Sequence, residues 1–186
     1  MPQTEHIPAR FQEGAVRMAC ALREMDKAVI AAHVNLDGDA LGSMGAVAWM
    51  LRALGRECVL YSATACPAGL SFCPLPGSLH DNLSRLPFVP RTAVLLDCGE
   101  PRRLGDELAQ KLPDLKSINV DHHLGSGGMG SQANWVEPTA AATAQLMAYV
   151  ALALNMPLTG ELAHCLALGL ITDTGGFAHG NTTEDI

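Results

Sequence analysis

Along the chain, short uninterrupted apolar runs alternate with segments whose apolar residues recur every three or four positions. Phe11, Ala15, Met18, Ala19 and Leu22 fall at helical spacing with charges between them, which predicts an amphipathic helix over 9 to 26. AVIAAH (28 to 33) is short and apolar up to its terminal His33, the pattern of a strand covered on both faces. ALGSMGAVAWMLRALG (40 to 55) predicts a helix closed by Gly55, and ECVLY (57 to 61) a second strand, giving one βαβ unit. Residues 62 to 90 carry Pro67, Pro74, Pro76, Pro87 and Pro90 with little periodicity, so a loop with at most one short helix is expected there. TAVLLD (92 to 97) and KSINVD (116 to 121) read as strands around a helix at LGDELAQKL (104 to 112), and two further helices follow at about 139 to 154 and 160 to 172. Strands alternating with helices imply an α/β fold with a mostly parallel sheet flanked by helices, in which ligands sit beyond the carboxyl ends of the strands.

Length and composition narrow this picture. The chain has 186 residues, 48% hydrophobic and 17% charged, which suits one packed domain with a real core. The net charge of −7 leaves no sequence-wide basic surface for long nucleic acid, so a polyanionic substrate has to be met locally, through bound cations. The six cysteines form no Cys-x-x-Cys pair and the N-terminus lacks the apolar core of a signal peptide, so reduced thiols in a cytoplasm are expected. The most apolar long segment, AAATAQLMAYVALALNM (140 to 156), carries Thr143 and Gln145 and falls short of a bilayer span; a buried helix is expected, and no membrane.

The candidate chemistry lies at the ends of the apolar runs. HVNLDGDALGS places His33, Asp37 and Asp39 in one turn after the first strand. Asp97 ends the third strand, Asp121, His122 and His123 end the fourth, and Asp173 ends the run LALGLIT. Parallel strands bring these ends to one edge, gathering His33, Asp37, Asp39, Asp97, His122 and Asp173. Taken singly each residue has an ordinary use, such as Asp39 capping a helix that starts at Ala40. Taken together, the four aspartates of this set would repel one another or hold protons unless cations sat among them. Two divalent ions about 3.5–4 Å apart, sharing a carboxylate, suit in-line attack on phosphorus. Carboxylate and imidazole ligands without thiolate favour Mn²⁺, with Mg²⁺ or Co²⁺ as substitutes, over structural zinc. Met44, Trp49 and Met50 read as helix core, Arg102 and Arg103 as a solvated pair, and the cysteines as small buried hydrophobes.

HVNLDGDALGS, VLLDCGEPRRLG, INVDHH and GLITDTGGF with GNTT resemble, in order, the four motifs of the DHH phosphoesterase superfamily, over nearly the whole chain. CPLPG and NWVEPTAAATAQL are most similar to its bacterial oligoribonuclease and 3′-phosphoadenosine-5′-phosphate phosphatase group. The resemblance implies hydrolysis of phosphate esters of short oligonucleotides or nucleotide-like substrates. It implies one Mn²⁺ held by His33, Asp37 and Asp97 and another by Asp39, Asp97, His122 and Asp173, with Asp97 bridging. His123 would contact the phosphate, and Asp121 would orient the histidines.

Some positions depart from that pattern. Leu36 stands where Pro usually precedes Asp-Gly-Asp, Leu124 and Gly125 replace a usual Thr-Asn, and Ala178 replaces a common Arg. Substrate preference is therefore open, and a single-strand DNA exonuclease, a cyclic dinucleotide phosphodiesterase and an inorganic pyrophosphatase remain alternatives within the superfamily. A non-catalytic nucleotide-binding module is a further alternative, against which the intact ligand set argues. Members of the superfamily continue into a second, substrate-holding domain, so residues 1–186 are expected to be a catalytic domain truncated before it.

Overall fold

The computed structural model describes residues 3–186; the first two residues, part of the N-terminal segment considered above, lie outside them. Helix α1 (Ala9–Glu24) buries the stripe Phe11, Gly14, Ala15, Met18, Ala19 and Leu22. It stops short of residue 26 because Met25 turns extended and Lys27 takes a positive φ of 47°. Strands β1 (Ala28–Ala31) and β2 (Cys58–Tyr61) flank α2 (Gly38–Ala53), completing the expected βαβ unit. Helix α2 begins at Gly38 rather than Ala40: the Asp37 carboxylate accepts a hydrogen bond from the Ala40 amide at 2.9 Å and is the cap. Asp39 therefore lies inside the first turn, and its capping role at α2 is not observed.

The proline-rich excursion holds more order than expected, with 3₁₀ turns at Ala68–Leu70 and Leu83–Arg85 and a two-residue strand, β3 (Leu79–His80). Beyond it come β4 (Thr92–Leu96), α3 (Asp106–Lys111), β5 (Lys116–Asp121), β6 (Ala133–Val136), α4 (Thr143–Ala153) and α5 (Gly160–Asp173). Helix α3 is shorter than its sequence signal because a 3₁₀ turn occupies Pro101–Leu104 and Gly105, at φ 86°, breaks the chain direction between the two.

Among the described residues the six strands form one parallel sheet, in the order β3-β2-β1-β4-β5-β6. Chain direction across the sheet reverses between β1 and β4, and such a switch point opens a crevice beyond the strand ends. Alternation along the strands feeds two cores. Ala28, Ile30, Val94, Leu96, Ile118 and Val120 face a thick layer formed by α1, α2, α4 and α5. Val29, Ala31, Val59, Tyr61, Ala93 and Leu95 face a thinner cover that includes Leu104, Leu108, Leu112 and Leu115.

The thick layer is drawn tight where α2 meets α5. A Cβ on Gly42 would lie 2.4 Å from the Cys165 carbonyl oxygen, and one on Gly169 would lie 2.5 Å from Ala144 Cβ and 2.7 Å from Asp39 Oδ1. Only glycine permits this approach. It brings the start of α2, the start of α4 and the end of α5 to the mouth of the crevice.

Candidate metal centre

Asp97 occupies the middle of the crevice. It follows β4 with a φ of 53°, a left-handed conformation that a side-chain-bearing residue adopts at a cost. Its neighbours hold it there: the Asp97 amide donates to Val120 O at 3.0 Å. The buried Asn119 side chain, from adjacent β5, donates to Leu95 O and Cys98 O at 3.1 Å each, spanning the turn on both sides. Asn119 Oδ1 accepts from the Met129 amide at 3.2 Å, which fixes the amide orientation. Asn119 was not singled out from sequence, although a polar residue within the apolar run SINV is a visible signal.

The two oxygens of Asp97 face different histidines. Oδ2 lies 3.4 Å from His33 Nε2, which is also 3.4 Å from Asp37 Oδ2. Oδ1 lies 3.6 Å from His122 Nε2, which in turn is 3.8 Å from Asp39 Oδ2 and 3.4 Å from Asp173 Oδ2. Both histidines engage backbone carbonyls through Nδ1, His33 with Val34 O at 2.8 Å and His122 with Ala140 O at 3.3 Å. A proton on Nδ1 donates to the carbonyl, so Nε2 is the ring atom turned toward the carboxylates, the one that would offer its lone pair to an ion once its own proton is released. The sets His33, Asp37, Asp97 and Asp39, His122, Asp173 each offer ligand atoms close enough together to hold a metal ion, as do Asp97, His122 and His123. Within the third set, however, His123 Nδ1 is 2.8 Å from Asp121 Oδ1 and is spent on that bond.

Asp39 caps a helix after all, but a different one. Its Oδ2 accepts from the Thr143 amide at 2.6 Å and its Oδ1 from the Ala144 amide at 2.8 Å, with Ser43 Oγ at 3.2 Å. The residue before α4, Ala142, has no polar side-chain atom to offer, so the free amides and positive end of that helix take a carboxylate from α2. Thr143 contributes a further contact, its hydroxyl donating to Asp97 Oδ1 at 3.0 Å. The remaining rim is tied by Asn181, whose amide donates to Ala141 O at 2.9 Å and Asp173 O at 3.2 Å.

Electrostatics shows a cluster short of positive charge. Hydrogen bonds to Asp37 and Asp97 raise His33 to about 10. Burial, then the Asp97 charge, pushes the Asp39 carboxyl well above the usual range, and burial pushes Asp173 up. Burial also acts upward on Asp37 and Asp121, but hydrogen bonds from His33 and the Ala40 amide in one case, and from the His123 ring and amide in the other, hold both below the ordinary value. The Asp121 bond raises His123. Left to itself the cluster retains protons, and cations placed among these atoms would relieve the same repulsion.

Sheet, switch-point crevice and carboxylate–imidazole cluster together define an α/β domain built around a candidate metal centre. Residues 27–170 match the DHH family, N-terminal domain, and the chain belongs to that family, whose members are metal-dependent phosphoesterases. Over 157 residues it is 36% identical to the bifunctional oligoribonuclease and PAP phosphatase NrnA of Thermus thermophilus, covering 84% of this chain and 46% of that protein. An uncharacterized protein of Mycoplasma genitalium is 29% identical over 168 residues, 87% of this chain and 49% of that one. Among solved structures, an exopolyphosphatase-related protein from Bacteroides fragilis superposes with a TM-score of 0.78 at 24% identity, over 92% of this chain and 53% of its own, and bears out the fold. The chain spans about half the length of the curated relatives it matches. Among the described residues no helix is long and apolar enough to cross a membrane.

Proposed function

We propose that this chain is the metal-binding portion of a phosphoesterase that hydrolyses short oligonucleotides or small nucleotides, of the oligoribonuclease and PAP phosphatase type. The observation that carries the reading is Asp97, one carboxylate with each oxygen turned to a different histidine–aspartate group. In this reading His33, Asp37 and Asp97 hold one Mn²⁺, and Asp39, Asp97, His122 and Asp173 hold the second. The donor set fits: it is carboxylate and imidazole throughout, its Nε2 atoms are turned inward, and among the described residues no Lys or Arg pairs with these aspartates. When bound, the two ions supply charge to neutralise phosphate oxygens and acidify a water for attack.

The chain's own residues do the positioning. Asn119 holds the backbone turn on both sides of Asp97 and the Thr143 hydroxyl donates to the Asp97 carboxylate, so that carboxylate is already oriented before substrate arrives. Asp121 accepts a hydrogen bond from Nδ1 of His123 and favours the charged ring, whose Nε2–H, on a half-exposed side chain, can donate to a phosphate oxygen. His123 thus contacts substrate and Asp121 orients it. The parts of a nucleotide remote from the reacting phosphate are gripped, in this proposal, by the portion of such proteins outside residues 1–186. The similarity to an oligoribonuclease and PAP phosphatase supports the substrate class, and the net charge of −7 supports local rather than extended contact with a polyanion.

Calorimetric titration of Mn²⁺ into the metal-free chain, paired with hydrolysis of a chromogenic phosphodiester, tests the proposal. Two ions per chain and Mn²⁺-dependent turnover are expected. A single ion held through cysteine, or two ions with no hydrolysis of any phosphate ester, would overturn it.

A further inference from the structure

Away from the crevice, two cysteines that the proposed chemistry does not use lie side by side. Cys73 and Cys165 are buried free thiols 92 positions apart in sequence, and their sulfurs are 3.8 Å from one another. Cys73 belongs to the excursion between β2 and β3, and Cys165 sits in the middle of α5. The two ends of this pair are held differently. Cys165 is wedged where α5 meets α2, so tightly that a Cβ on Gly45 would stand 2.7 Å from its sulfur. The segment after Cys73 has no regular element of its own before β3 and is hung on α2 by two side-chain bonds, from Trp49 Nε1 to Pro74 O at 2.7 Å and from the exposed Arg52 guanidinium to Pro76 O at 3.3 Å.

We infer that Cys73 and Cys165 are a reversible dithiol–disulfide site, closed by a low-molecular-weight disulfide such as oxidised glutathione, that ties the segment between β2 and β3 to α5. The inference stands apart from the proposed phosphoesterase reading. Forming the bond needs the sulfurs to approach from 3.8 Å to about 2.05 Å. Helix α5 is locked on α2, so the Cys73 segment moves. Cys73 is also the accessible partner, 8% exposed beside Phe72 at 70%, whereas Cys165 is fully covered. The hydrogen bond from Cys165 lowers the Cys73 thiol and leaves Cys165, which is also buried, high, so the outer sulfur is the better nucleophile.

The steps balance. The Cys73 thiolate attacks one sulfur of the external disulfide, breaking its S–S bond and expelling one thiolate. Cys165 gives up its proton and attacks the Cys73 sulfur, forming the internal bond and expelling the second thiolate. Two protein thiols are oxidised and one external disulfide is reduced to two thiols.

The test is to incubate the native full chain with oxidised glutathione, alkylate remaining thiols under denaturing conditions and map the peptides by mass spectrometry. A Cys73–Cys165 linked peptide is expected, 2 Da lighter than the reduced pair and reopened by dithiothreitol. Exposed Cys20 should instead carry glutathione. The linked chain should melt at least about 5 °C higher, because the bond closes a long loop. That shift should be absent in Cys73→Ala, and Cys165→Ala should leave Cys73 glutathionylated with no internal bond. Full alkylation of Cys73 and Cys165 in oxidised wild type, or a Cys66–Cys73 link in its place, would overturn the inference.

Discussion

Replacing Asn119 with Ala tests whether the crevice is held from behind by β5. The side chain is fully buried and makes three hydrogen bonds, two to carbonyls on either side of Asp97 and one from the Met129 amide. At about 1 kcal/mol net for each bond, the loss is about 3 kcal/mol, with the unpaired Met129 amide adding to it. For a chain of this size that corresponds to a fall in melting temperature of about 6–12 °C. Asn134 gives the control: it makes two bonds to Gly130 but is exposed, so water replaces them and Asn134→Ala should cost under about 1 kcal/mol. Asn119→Asp sharpens the test, since nearly the same shape would aim carboxylate oxygens at two carbonyls; it should destabilise at least as much as Ala. Because the left-handed turn at Asp97 loses its brace, Mn²⁺ affinity in both Asn119 variants should fall about 10–100-fold, as for other groups that orient metal ligands. Urea denaturation of the metal-free proteins and calorimetric Mn²⁺ titration measure the two effects. An Asn119→Ala protein as stable as Asn134→Ala, with wild-type metal affinity, would refute the reasoning.

Other expectations follow from the same geometry. Asp97→Asn should weaken both ions, whereas Asp37→Asn, altering a carboxylate at the exposed edge, should weaken mainly one; titration that finds both ions at wild-type affinity in Asp97→Asn removes the bridging role. His123→Ala should keep its metal yet lose about 100-fold or more in turnover of a small diester, and a loss of metal equal to that in His122→Ala would reverse the roles assigned to the two rings. Gly42→Ala should destabilise by about 1–3 kcal/mol through contact with the Cys165 carbonyl, while Gly69→Ala, whose Cβ meets nothing within 4 Å, should be near neutral in thermal melts.

Much of the site was legible because β1, β4 and β5 are apolar runs that lead straight into His33, Asp97 and Asp121 with His122, and a parallel sheet has to deliver such ends to one edge. What sequence left hidden are partnerships decided by tertiary packing. Nothing local says that Asp39 serves α4 rather than α2; that follows from the glycine contacts that let α5 and α2 close on Ala144. Strand β6 escaped prediction because ANWV follows a glycine- and serine-rich loop and has one well-buried residue, Trp135, against which Gly14 of α1 packs. Its strand character comes from the open edge of β5. The two residues of β3 likewise owe their state to β2.

The position of β1 at the centre of the sheet has a consequence for how the chain is made. Ala28 pairs with Cys58 on one side and Thr92 on the other, so during synthesis β1 and β2 are available well before the strand that completes the centre. Until β4 emerges, β1 presents an unpaired apolar edge, the kind of surface on which nascent chains associate with one another. His33, Asp37 and Asp39 are by then already translated beside that edge, and they stay apart from Asp97, His122 and Asp173 until the later strands and α5 dock. A ribosome that stalls between residues 62 and 90 would therefore display both an open edge and half of the cluster.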